Sequence, residues 1–174
     1  MDGPGPDWVD EPIVLCDYDP RWPRLFEIES PLLVEALADL VVGGVHHIGS
    51  TAVPGMTSKP VVDIMVGVSS LAACEGRFGH LARLGYCHSP YRPWKHWFCK
   101  PSPQLRTHHL HLLEPGHPEF QRTLRFRDRL RSDQDLRSAY SELKRQLASQ
   151  HRTDREAYTD GKTEFVNRHS EPDG

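Results

Sequence analysis

A chain of 174 residues, 37% hydrophobic and 26% charged, is long enough for one domain with its own core. No apolar run approaches the ~20 residues that span a bilayer, and the acidic, proline-rich start lacks the regions of a secretion signal. A cytoplasmic protein with no membrane partner is therefore expected. The net charge of -3 and the lack of any reader motif argue against nucleic acid, and four scattered cysteines without a C-x-x-C pair argue against a zinc ribbon or a redox motif.

Residues 1–12 read as a flexible lead-in and 169–174 as a flexible tail, leaving 13–168 as a single domain. Ile13, Val14 and Leu15 suggest a short edge strand. A helix is predicted over 22–40, with Leu25, Phe26, Leu33, Ala36, Leu37 and Leu40 mostly on one face. Pro31 should bend or break it, and Gly43-Gly44 should end it. Short strands follow at 45–48 and 61–68, then a helix over 71–84 that Ser69-Ser70 cap and Gly85 stops. A strand begins near 86–87, and the segments 96–100 and 106–113 form a hairpin around Pro101-Ser102-Pro103. Three helices are expected after that, one opened by Pro118, one capped by Ser132 or Asp133, and one over 155–168. The order is α/β, a sheet flanked by helices with a helical C-terminal part.

The chemistry concentrates in residues 45–68, VHHIGSTAVPGMTSKPVVDIMVGV. Gly49 permits close approach of a ligand to the backbone. The amides after it and the hydroxyls of Ser50 and Thr51 favour an anion. Asp63 interrupts an apolar, β-branched strand, where a carboxylate is costly unless a metal, a cation or hydrogen bonds hold it. Alternation puts it on one face with Val61 and Met65, and Val62, Ile64 and Val66 on the other.

Further along, RTHHLHLL places Thr107, His109 and His111 on one strand face, with His108 and Leu110 turned away. Two imidazoles at that spacing suit a metal ion, or one of them a general base. Lys59 precedes the Asp63 strand, and Lys100 and Arg106 flank the hairpin with Arg92 and Lys95, so that any of these cations could clamp phosphates. From Glu119 to Arg168 there are twelve Arg or Lys against nine Asp or Glu, a mixture that also describes an ordinary solvated helix surface.

The run HIGSTAVPGMTSKPVVDIMVGV resembles the signature of the GrpB-like proteins. The resemblance continues through Gly85-Tyr86, His96 to Lys100, His109-Leu110-His111, Phe126 to Arg131, Tyr140, Leu143-Lys144 and Tyr158, Lys162 and Phe165. It implies a fold of the nucleotidyltransferase superfamily, in which a Gly-Ser turn holds a nucleotide phosphate and acids on strands hold two divalent metals. Gly49-Ser50 and Asp63 match the first two features. The second acid's place holds Met65, and the third acid's place is taken by His109-Leu110-His111. The resemblance thus implies ATP or another nucleotide, or a similar anionic small molecule, at Gly49, Ser50, Thr51 and Lys59. It also implies a divalent metal (Mg, Mn or Zn) at Asp63, His109 and His111. The expected activity is nucleotidyl or phosphoryl transfer. The alternatives are a non-catalytic nucleotide-binding module and a single-metal Asp/His/His hydrolase, lyase or cyclase.

Overall fold

The computed structural model describes residues 12–171. Its central strand is β2 (Val62–Val68), whose apolar run is buried on both faces, as only an interior strand can be. It pairs antiparallel with β1 (Val41–Ile48) and parallel with β5 (Arg106–Leu113). β5 pairs antiparallel with β4 (His96–Pro101), and β4 with the two-residue β3 (Cys87–His88), giving the order β1-β2-β5-β4-β3. The parallel pair needs a crossover, supplied by α2 (Leu71–Cys74), α3 (Phe78–Arg83), β3 and β4.

Alternation along β2 divides the core. Val62, Ile64, Val66 and Val68 join Leu110, Leu112 and Phe98 on one face, beneath Trp22, Leu33, Ala36 and Leu37 of α1 (Trp22–Leu37) and Leu81 of α3. Each such aliphatic side chain contributes roughly 1.5–3 kcal/mol on burial. Met65, Ile48 and Leu113 face the other way and meet Phe120 of α4 (Pro118–Ser132). Phe126 and Leu130 of α4, with Tyr140 of α5 (Gln134–Gln150), enclose Val53 and Met56 from the segment after β1; Phe165 and Val166 of α7 (Thr163–Arg168) pack alongside. Tyr158 of α6 (Arg155–Asp160) packs with Ile13 and Leu147. The α/β class and the helical C-terminal part are as expected.

Several local expectations are corrected. α1 runs unbroken through Pro31 and stops at Leu37. Pro31 is exposed, so the carbonyl it leaves without an amide partner faces water. Gly43 and Gly44 do not end the helix but belong to β1, because the two strands nearly touch there: a Cβ on Gly67 would lie 2.5 Å from the Gly43 Cα. Residues 13–15 form no strand; Ile13 donates to the Arg152 carbonyl, and Cys16 bridges to Ser58. The helix expected over 71–84 is divided by a 3₁₀ turn at Glu75–Arg77, and that over 155–168 is divided at Gly161. The caps at Ser70 and Asp133 form, each accepting an amide three residues on. Of the segment read as a tail, the His169 and Ser170 carbonyls accept from Arg129 and Arg125. Residues 1–11 and 172–174 lie outside the described residues. Among the described residues no helix is long and apolar enough to cross a membrane.

Candidate functional site

Register sets the centre. Asp63 lies directly across from Ile48 on β1 and from His109 on β5. Beyond Ile48 the chain turns at Gly49, with φ +70 and ψ -173, a region only glycine occupies without strain. A Cβ on Gly49 would lie 2.6 Å from Asp63 Oδ2, so glycine is what lets the turn close against the carboxylate. Ser50, Thr51 and Ala52 then form one 3₁₀ turn.

Both histidines expected from the alternation face Asp63. His109 donates from Nδ1 to Asp63 Oδ1 at 2.9 Å, and its Nε2 is buried without a hydrogen-bond partner. His111 Nε2 stands 3.8 Å from the same oxygen. Its Nδ1 lies 3.3 Å from Lys95 Nζ, and since an ammonium has only donors, Nδ1 accepts and the ring proton sits on Nε2, towards Asp63. Burial alone would raise the Asp63 carboxyl. The hydrogen bonds and charges of His109 and His111 outweigh burial and hold it well below the usual carboxylate range. Burial, aided by Lys95, pushes His111 down to about 4, and burial pushes Lys95 down to about 8.

Asp63, His111, Gly49 and Ser50 form the floor of a cavity of about 230 Å³ roofed by α4, α5 and α7. Glu119, Arg122 and Arg127 of α4 reach into it. Arg122 is held by Glu119 and Asn167, and Arg127 donates to the His47 carbonyl at 3.1 Å.

The other expected residues divide. Ser50 is at the floor, where its Oγ accepts from Lys144 Nζ at 2.8 Å. Thr51 is buried and turned the opposite way, with Oγ1 3.0 Å from His47 Nε2; that ring stacks on Phe26. Lys59 lies behind the turn, 5.3 Å from the centre of the Tyr158 ring. Lys100 is on the far face of the sheet, ion-paired with buried Glu29 at 2.6 Å. Arg106 donates to the Pro103 carbonyl and stacks on Trp97 at the hairpin end, away from the cavity lining.

Sequence reasoning missed Lys144 and Lys162 as site residues. Tyr140, Lys144 and Leu147 recur on one stripe of α5, and Lys162 falls between Tyr158 and Phe165 at helical spacing. A charge on an apolar stripe was the available signal. Lys144 also donates to the Thr57 carbonyl, and Lys162 Nζ lies 4.3 Å from the Tyr158 ring centre. Burial pushes both ammonium groups down to about 7, with Lys59 adding repulsion.

The residues do not fit the two-magnesium centre that the resemblance implies. Magnesium wants oxygen ligands, and the set offers one carboxylate, already bonded to an imidazole. Met65 is sealed among Ile48, Leu113 and Phe120. Among the described residues no group of three or more His, Cys, Asp or Glu side chains is arranged to hold a metal ion.

A sequence profile described as "GrpB protein" matches residues 12–171. The chain is 38% identical over 164 residues to UPF0157 protein PA4798 of Pseudomonas aeruginosa, covering 91% of this chain and 66% of that one. It is 33% identical over 151 residues to UPF0157 protein YqkA of Bacillus subtilis, covering 86% of this chain and 43% of that protein. It thus spans between about two fifths and two thirds of the length of these two relatives. The crystal structure of the conserved protein GrpB from Enterococcus faecalis superposes with a TM-score of 0.80 at 30% identity, covering 90% of this chain and 94% of that one. The mixed sheet is consistent with a nucleotidyltransferase-like superfamily, and the chain belongs to the GrpB family.

Proposed function

We propose that this protein binds a nucleotide or a similarly anionic phosphate ester in the cavity over Asp63 and acts as a nucleotidyl or phosphoryl transferase. The observation that carries this reading is the closure of the Gly49-Ser50 turn against an ionised carboxylate, with a buried lysine on Ser50. In this reading Ser50, supported by Lys144, faces the phosphate. Asp63 accepts a hydrogen bond from the acceptor hydroxyl and orients it. His109 fixes the carboxylate, and neutral His111 offers its Nε2–H beside it.

The test is a thermal-shift screen of nucleotides with and without Mg, Mn and Zn, followed by turnover of the binders across an acceptor panel. A ligand that binds the native state raises the melting temperature by mass action. Asp63→Asn should retain the fold and lose turnover. If that variant transfers the group as fast as wild type, the transferase reading is wrong.

Met65 favours a second reading, a binding module without catalysis, since the place of a second acid is filled by a core side chain. Saturable nucleotide binding with no turnover on any acceptor would select it. A single-metal enzyme would show stoichiometric zinc or manganese in the purified protein, lost in His109→Ala and His111→Ala.

A further inference from the structure

A second cavity, of about 410 Å³, lies against the other side of the turn that faces Asp63, and no residue lines both cavities. Its volume falls within the roughly 300–1,000 Å³ of small-molecule sites. Tyr18 and Phe26 wall it from the start of the α1 segment, His47 from the end of β1, and Arg131 and Arg137 from the adjoining ends of α4 and α5. The Phe26 and His47 rings stack at 5.1 Å and 12°, so they line it as one rigid aromatic pair. The polar edge of the imidazole is taken up by Thr51 Oγ1 at 3.0 Å. Burial pushes His47 down to about 4, so near neutral pH the ring it offers is uncharged.

The charge comes from the two guanidinium groups. Arg131 donates from Nε to the Ala52 carbonyl at 2.8 Å, and its Nη1 stands 3.6 Å from Asp128. Arg137 donates from Nη1 to the Leu130 and Arg131 carbonyls at 3.1 and 3.3 Å. Among the described residues, Arg131 Nη2 and Arg137 Nε and Nη2 make no hydrogen bond, and Arg137 has no carboxylate partner. Each planar group is thus fixed from one side and keeps donors for a carboxylate on the other. The lining holds one carboxylate of its own, exposed Glu27, whose partner is Arg24 at 3.2 Å. The lining residues therefore carry a surplus of one positive charge. A monoanion balances that surplus, whereas a dianion exceeds it and meets repulsion from Glu27.

We infer that this cavity binds a small monocarboxylic acid with a flat ring system, its carboxylate on Arg131 and Arg137 and its ring against Tyr18, Phe26 and His47. The site is independent of any group transfer at Asp63, although it touches the same turn. Ala52, which holds Arg131, closes the 3₁₀ turn begun at Ser50, and Thr51 of that turn bonds His47.

The experiment is an amide NMR titration of the protein with four probes: naphthoate, neutral naphthalenemethanol, cyclohexanecarboxylate, which has the charge without the flat ring, and dianionic naphthyl phosphate. Naphthoate should saturate wild type and bind more tightly than the other three. The amides that shift should include Phe26 and Ala52 of this cavity rather than Thr123 and Val166 of the one over Asp63. Arg131→Met and Arg137→Met should each weaken naphthoate about ten- to a hundredfold, the range for a charge-assisted hydrogen bond. Phe26→Leu, which keeps both guanidinium groups, should weaken naphthoate and leave cyclohexanecarboxylate unchanged. Asp63→Asn and Arg83→Met, neither in this lining, should bind naphthoate as wild type does. Circular dichroism establishes that each variant is folded, and the ranking of the four probes needs wild type alone. Absence of saturable naphthoate binding overturns the inference, as do equal or tighter binding of any other probe, shifts confined to the cavity over Asp63, and unchanged affinity in the folded arginine variants.

Discussion

Lys144 should limit the stability of the protein it serves. Its ordinary value of 10.5 falls to about 7 on burial. At about 1.4 kcal/mol per unit, that amounts to roughly 5 kcal/mol against the charged folded state below pH 7. The bonds to Ser50 and the Thr57 carbonyl offset part of this, at about 1.5 kcal/mol each. Lys144→Met keeps the length of the side chain and removes the charge. It should therefore stabilise the protein by roughly 2 kcal/mol near pH 7. The dependence on pH follows from the direction of the shift. The folded value lies below the unfolded one, so between pH 7 and 10.5 the unfolded chain holds more protons, and wild-type stability rises with pH through that window. One lysine supplies a slope of up to about 1.4 kcal/mol per pH unit, and Lys162, which is more exposed, a smaller one in the same direction. Urea denaturation at pH 7, 8 and 9 measures both quantities. The variant should start higher and climb less, so that its advantage shrinks by pH 9. A variant less stable than wild type at pH 7, or one with an unchanged slope, refutes the reasoning.

Two further outcomes follow from geometry alone. Gly49→Ala places a methyl group against Asp63 Oδ2 in a backbone region reserved for glycine, and should destabilise by about 2–4 kcal/mol in chemical denaturation while weakening any ligand whose binding depends on that carboxylate. Lys100→Met leaves Glu29, 4% exposed, without its partner and should cost about 3–5 kcal/mol; Glu29→Met combined with Lys100→Met should recover most of that loss in the same assay, because the pair as a whole is worth far less than either half left alone.

Legibility in the sequence followed the range of the forces involved. The period-two alternation of β2 and β5 is a local property, and it correctly oriented Asp63, Met65, His109 and His111 within their strands. That Asp63 and His109 sit opposite one another depends on a parallel pairing across 46 positions, which no local pattern encodes. Lys100 was separable in principle: the hairpin register sets it across from His108, whose side chain turns away from His109. Gly43-Gly44 reads locally as a helix stop, and the real role of Gly43, the close approach to Gly67, appears only once β1 is paired. Lys144 and Lys162 were hidden by their company. In a segment with twelve Arg or Lys, a solvated face is the natural reading, and buried Lys144 and half-buried Lys162 differ only in falling on the apolar stripe.

Met65 also constrains which mutational paths are open to this fold. An aspartate there would be enclosed by Ile48, Leu113 and Phe120, and an unpaired charge in such a setting costs on the order of several kcal/mol, a large fraction of the stability of a domain this size. The substitution alone would cross a deep fitness valley; it becomes viable only after the surrounding side chains have made room for water or a cation. In this chain, replacing Met65 by an acid therefore calls for coordinated changes at Ile48, Leu113 or Phe120. The identity of residue 65, read together with 48, 113 and 120, is a compact character for sorting related chains into those that have this sealed floor and those that do not.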